Sequence, residues 1–275
     1  MSTNEIRNLS GPLAEAEAVY RDPVTQLPPA DEGTLARRAG HFASSVHFGL
    51  HEPRGMRRLH KLTKDLGTIS RLDSLLPAVL AGALSLIKAD LGNIQLVDPA
   101  TGALRIVTQA GFGPEFLEYF AVVGDGDGSA CARAATQCAQ TVVTDVRSDP
   151  DFAPHRDIAA ASGFRGVQST PLVDHAGHLI GMVSTHFRRP RRPSDRELRT
   201  MELYGDLAGE AVTRRLGISP QHDPGDPLIS ALLKGRHARQ ASASVPFELW
   251  VMGQMSTSLA RHDGRSHPDS NGQGS

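Results

Sequence analysis

The sequence has little cysteine, almost no net charge and no long apolar run, and each lack narrows what the chain can be. Two cysteines in 275 residues are too few for a disulfide framework. A formal charge of −1 and an isoelectric point near 6.9 give no general attraction to nucleic acid or to an anionic membrane. No stretch is long and apolar enough to span a bilayer, and the opening MSTNEIRNLS lacks the basic-then-apolar order of an export signal. The chain is therefore expected to be cytoplasmic, with no nucleic-acid or membrane partner. What is present is 39% hydrophobic and 21% charged residues, enough for one soluble domain of ordinary size with flanking segments.

Residues 1–55 are broken by Pro12, Pro23, Pro28, Pro29 and Pro53 and are expected to form a loosely structured extension. Short helices at Leu13–Tyr20 and Thr34–Phe48 are candidates within it. A domain is expected over 56–216. Leu59, Leu62, Leu66, Ile69 and Leu76 recur at helical steps and predict one apolar stripe. A second helix is predicted over Leu75–Ala89, then strands at Leu91–Asp98 and Ala103–Ala110 joined by Pro-Ala-Thr-Gly. Gly113–Phe120 reads as a short helix before the loop Gly124–Gly128, and Ser129 as the cap of a helix over Ala130–Gln140. Thr141–Val146 reads as a strand, and Asp149–Ala161 as a helix. Ser194-Asp195-Arg196-Glu197 is a capping box opening a helix to about Arg215, which Gly217 stops. Residues 217–275 are expected to be largely disordered, with short helices at Leu228–Leu233 and Pro246–Met255, the latter holding Trp250.

The centre of the pattern is Phe164–Phe187, in which two β-favouring runs, Gly166–Asp174 and Leu179–Phe187, flank His-Ala-Gly-His as a hairpin. Neither run has a wholly solvent-like face, so the hairpin is expected to be covered on both sides. Period-two alternation puts Gln168 with Thr170 and Ser184 with His186. It also puts Leu179 with Val183 and Phe187, and Ile180 with Met182. The element order implies an α+β domain built on one mainly antiparallel sheet with helices over it.

In the segments DGSACARA (127–134), TVVTDVRSDPDFAPHRD (141–157), GVQSTPLVDHAGHLIGMVSTHF (166–187) and RPSDREL (192–198), the chain resembles a GAF domain of the kind found beside PAS domains and histidine kinases. The resemblance covers Leu59–Leu216. It implies a central antiparallel sheet of about six strands with helices on both faces, a ligand pocket on one face, and first and last helices that pair between subunits. On that basis the candidate ligand-binding residues are Asn93, Gln95, Gln168, Thr170, Ser184 and His186, with Asp127 and Ser129 in a lid over 124–129. No kinase, cyclase or phosphodiesterase signature is visible. Cys131 and Cys138 are followed by alanine, unlike the Cys-His pair that anchors bilins in phytochromes, and the cyclic-nucleotide pattern is missing.

Three functions are weighed. The first is a non-catalytic sensor that binds a small molecule of unknown identity and signals through a homodimer or a partner protein. The second is a thiol redox enzyme of the free methionine sulfoxide reductase type, using Cys131 or Cys138. The third is an interaction scaffold with a filled core. On one helix the two cysteines would lie about 10.5 Å apart, too far for a direct disulfide, but Cys131 near a helix N-terminus is a candidate for a lowered thiol pKa. Against each sharp reading stands a bland one. Cys131 is a small core residue, His186 a hydrogen-bonded structural group, and His175 and His178 solvent-facing turn residues. Arg188–Arg192 is a solvated linker, and Asp145, Asp149 and Asp151 are turn chemistry. No metal-ligand spacing is found, and the sequence leaves any cofactor unknown.

Overall fold

In the computed structural model, residues 5–22, 53–174 and 177–217 are described. The expected helices at 34–48, 228–233 and 246–255, the tail beyond 217 and His175 lie outside them. Seven strands form one antiparallel sheet: β1 (Ile6–Asn8), β2 (Leu91–Val97), β3 (Leu104–Ala110), β4 (Val122–Val123), β5 (Thr141–Val143), β6 (Gly166–Val173) and β7 (Leu179–Phe187). Their order is β1-β3-β2-β7-β6-β5, with β4 also pairing with β3. The α-helices are α1 (Ser10–Arg21), α2 (Pro53–Thr68), α3 (Leu72–Ile87), α4 (Pro114–Tyr119), α5 (Ala130–Gln137), α6 (Arg156–Ser162) and α7 (Asp195–Leu216). This is the expected α+β architecture, with one strand more than the six foreseen.

The extra strand comes from the segment expected to be loose. Pro77 lies inside α3 and has no N–H for the carbonyl four residues earlier, that of Asp73. Asn8 supplies the missing donor, its Nδ2 reaching Asp73 O at 2.6 Å, while its Oδ1 accepts from Thr108 Oγ1 at 2.7 Å. Tyr20 at the end of α1 donates to Val97 O at 2.7 Å, and Leu13 and Tyr20 are buried. Residues 5–22 are thus part of the domain.

Other boundaries move as well. The leucine stripe does not lie on one helix: α2 ends at Thr68 and α3 starts at Leu72, so Leu76 belongs to α3. Helix α5 stops at Gln137, because Cys138 takes a left-handed conformation (φ 44°) as its C-cap. The capping box of Ser194 and Glu197 forms on α7 as expected, and Ser129 accepts from Ala132 N at the start of α5.

The sheet divides two cores. On one face, α1, α2, α3 and α7 bury Leu76, Val79, Leu80, Ile94, Leu172, Val183, Tyr204 and Val212. On the other, α4, α5 and α6 bury Leu91, Ile106, Phe116, Ala134, Phe164 and Met182. Every residue of β6 is buried, as expected for a hairpin covered on both sides. Alternation fails once. Leu172 faces Gly181 but Val173 faces Leu179, so Ile180 is an extra residue in β7. A bulge of this kind reverses the parity beyond it. Ile180 accordingly joins Val183 and Phe187 in the helix-side core, and Leu179 packs with Met182.

Helix α7 rests directly on the backbone of β6. A Cβ at Gly205 would stand 2.5 Å from Pro171 O, and one at Gly209 would stand 2.3 Å from Val173 N and O. Glycine at these two places lets a helix approach a strand with no side-chain layer between them. By contrast, a Cβ on Gly67 of α2 meets nothing within 4 Å. Gly209→Ala is expected to lower unfolding stability by about 1–3 kcal/mol through overpacking. Gly67→Ala should raise it by up to about 1 kcal/mol through helix propensity. Denaturant unfolding of both variants checks the contrast, and equal effects would mean that α7 is not seated on the strand.

Candidate functional site

Between the sheet and α4–α6 lies a cavity of about 20 Å³, room for about one water molecule. Its floor is strand-borne. Asn93 and Gln95 alternate on β2, and Ser184 and His186 on β7, with Asn93 opposite Ser184 and Gln95 opposite Met182. Cross-strand partners share a face, so these four candidates meet in one place. Ser169 joins them from β6, its Oγ 2.8 Å from Ser184 Oγ. From α5 come Ser129 and Cys131, with Oγ and Sγ 3.2 Å apart. The wall is aromatic: Phe116, Phe120, Phe152 and Phe164 line it, and Phe112 stacks on Phe116 at 3.7 Å.

Three sequence candidates do not line the cavity. Gln168 and Thr170 lie on the opposite face of β6, because Ser169, not Gln168, is paired with Ser184. A one-residue change of register moves a whole strand face. Thr170 instead accepts from Gln140 Nε2 at 3.1 Å and sits under Gly205. Asp127 lies behind the wall, its Oδ1 accepting from Ser129 N at 2.9 Å.

The 124–129 loop is fastened down. His155 is buried and donates from Nε2 to Asp127 O at 2.8 Å, while its Nδ1 meets Tyr119 Oη at 3.1 Å. With Nε2 facing a carbonyl, that nitrogen carries the proton. Thr136 Oγ1 binds Asp125 Oδ1 at 2.8 Å. Gly128, at φ 82°, brings the loop against Asp151 O, which a Cβ would meet at 2.6 Å. Aromatic packing around His155, spread over Tyr119, Phe120 and Phe152, adds to these bonds, and no short sequence pattern announces the cluster.

The remaining charged candidates hold structure. Asp145 is paired with Arg165, and Asp149 and Asp151 with Arg133. Arg191 is paired with Glu197 and lies 4.5 Å over the Phe187 ring, while Arg188, Arg189 and Arg192 are exposed. His178 does not simply face solvent, since its Nδ1 lies 2.7 Å from the buried Asp174 carboxylate. Among the described residues no group of His, Cys, Asp or Glu is placed to hold a metal ion. No helix there is long and apolar enough to cross a membrane.

Burial governs the titration of the two reactive groups in the cavity. Cys131 is pushed up from its ordinary value, chiefly by loss of water, so the lowered thiol pKa expected from its place near the start of α5 does not arise. The short helix cannot offset the desolvation of a thiolate. Cys138 lies elsewhere, beside Thr170 of β6 and Glu202 of α7, and neither cysteine forms a disulfide. His186 is pushed down to about 3 by burial among Phe112, Phe116 and Phe164. It is neutral at pH 7.

A sheet of this order, with short helices over a polar cavity on one face and long helices on the other, defines the α+β class of fold to which GAF domains belong. The comparisons agree: the GAF domain model matches residues 70–213, more than half of the chain, and the chain belongs to the GAF family. Similar solved structures include the GAF domain of a phosphoenolpyruvate-protein phosphotransferase from Coxiella burnetii (18% identity, 60% of this chain and 97% of that one, TM-score 0.51). Another is a free methionine-R-sulfoxide reductase from Neisseria meningitidis (16% identity, 60% and 92%, TM-score 0.50). A sensor histidine kinase domain from Sinorhizobium meliloti is 19% identical over 54% of this chain and 94% of that one, with a TM-score of 0.44. No curated protein sequence matches the chain.

Two outcomes follow for the buried groups. His186 is neutral in the folded protein but protonates near its ordinary value of 6.5 once unfolded. Its titration therefore costs nothing above that pH, and stability is lost as pH falls from 6.5 towards 3. By about pH 5 wild type should lose about 2 kcal/mol more than His186→Gln, measured by denaturant unfolding at each pH; parallel curves would mean that His186 is not buried neutral. For Cys131, iodoacetamide at about pH 8 should leave the native thiol unmodified, as read by peptide mass spectrometry. Alkylation at the rate of an exposed thiol would return the redox enzyme to contention.

Proposed function

We propose that this protein is a non-catalytic sensory or regulatory GAF domain that takes a small molecule into the cavity over β2, β6 and β7 and passes its presence to α7. The observation that carries the reading is the pairing of a buried polar cavity with an unlayered helix seat on the same strand. Val167 and Ser169 of β6 line the cavity. The backbone of that strand at Pro171 and Val173 bears Gly205 and Gly209 of α7. A shift of β6 on ligand entry is felt by α7 without side chains to absorb it.

Helix α7 hands the shift on through two further contacts. Tyr204 donates to Val79 O of α3 at 2.8 Å, over Gly82, and Arg215 donates to Ile69 O just past α2 at 2.6 Å. The output is then a change in how the helices pair, in a homodimer or with a signalling partner. Leu207 is the one large apolar side chain that α7 leaves exposed among the described residues. A ligand acts only by its different affinity for two arrangements, and packed helices offer such discrete arrangements.

The thiol enzyme is the weaker reading. The Neisseria reductase shares the fold, but Cys131 is protonated in its cavity and Cys138 lies outside it. The scaffold reading asks for a filled apolar core, and the polar floor of the cavity speaks against it.

The test is native mass spectrometry and absorption spectroscopy of protein purified from cells, with amide exchange before and after the bound molecule is removed. We expect excess mass that is lost on denaturation, and faster exchange in β6 and α7 once it is gone. Bare polypeptide mass, with α7 exchange unchanged by added metabolite extract, would overturn the sensor in favour of the scaffold.

A further inference from the structure

Asn93, Gln95 and His186 are 3%, 1% and 5% exposed, and all three line the cavity. Asn93 Oδ1, Gln95 Oε1 and His186 Nδ1 nevertheless find no hydrogen-bond partner among the described residues. Buried polar atoms are rarely left so. Two of the three are amide oxygens, which only accept. The third atom belongs to a neutral imidazole. No lining residue carries a formal charge, since the serines, phenylalanines and protonated Cys131 thiol add none.

We propose that the cavity takes a small uncharged molecule that presents two or more N–H or O–H donors to Asn93, Gln95 and His186, such as a primary amide, a urea or a short polyol. An ion would lose its water and meet no opposite charge, a penalty that neutral donors escape. Donors facing these acceptors also relieve the cost of unpaired oxygens, which gives affinity for donor-bearing neutral molecules over their apolar analogues. At about 20 Å³, room for about one water, the cavity must widen to admit any of these molecules. The short wall on that side is α4, six residues long, which carries Phe116 at its middle, is followed by Phe120 and is held by Tyr119 to His155. This inference rests on the sensor reading above.

The full-length chain is tested with acetamide and N-methylurea against acetate and methylammonium, each at equal low concentration. Binding is read from NMR shifts of the pocket residues and from the thermal midpoint. Gln95→Met and Asn93→Leu, which replace the unpaired amides with apolar groups of like shape, are compared with wild type. We expect acetamide or N-methylurea to shift the Ser184 and Cys131 signals and the ions not to. We also expect both variants to melt several degrees higher than wild type while losing the response. Binding of acetate or methylammonium in place of the neutral probes overturns the ligand class and leaves the sensor standing. No response to any probe, with both variants melting below wild type, marks polar groups kept for structure alone and overturns the ligand class and the sensor together.

Discussion

The closeness of α7 to β6 is the constraint on which the rest of the structure depends. Gly205 and Gly209 bring a helix of 22 residues onto strand backbone at distances that no side chain would permit. Dispersion falls steeply with a gap of even half an ångström, so this contact fixes the height of the helix above the sheet. Tyr204 and Met201 then fill the space towards α3, and Arg215 reaches the carbonyl of Ile69. Because the seat has no compliant layer, the helix and the strand behave as one body.

The opposite face of the same strand is built differently. There the chain gathers five of its nine phenylalanines, at 112, 116, 120, 152 and 164, over a floor of amides, hydroxyls and one imidazole. Each buried acceptor without a partner costs about 1–3 kcal/mol, and neutral burial of His186 costs more as the pH falls. A core selected for stability alone would have apolar groups of like volume here. Local inconsistency of this kind is found at functional sites. The 124–129 loop is held by His155 and Thr136 rather than left open.

Much of this was legible in the sequence. Ser129 and the Ser194–Glu197 capping box work through bonds three residues apart, so their pattern survives any tertiary arrangement. Asn93, Gln95, Ser184 and His186 could be placed together because alternation along β2 and β7 holds on that side of the bulge. Gln168 and Thr170 were assigned to the wrong face because β6 is buried on both sides, and polarity then carries no information about which side meets the cavity. In the N-terminal segment the short helix near 13–20 was foreseen, and the docking of residues 5–22 was missed for a related reason. Its anchor is Asn8 on the carbonyl freed by Pro77, a bond between residues far apart in the chain.

The sequence by itself determined the local grammar: where helices are capped, where hairpins turn, and that one antiparallel sheet carries helices on both faces. Those properties depend on neighbours within a few residues and on periodicity. The tertiary structure alone decided which polar atoms end up buried without partners, that the Cys131 thiol stays protonated, and that Gly205 and Gly209 meet a strand. It also decided that His155 holds the loop. Each of these depends on desolvation or on close approach, and both are set by groups brought from distant parts of the chain.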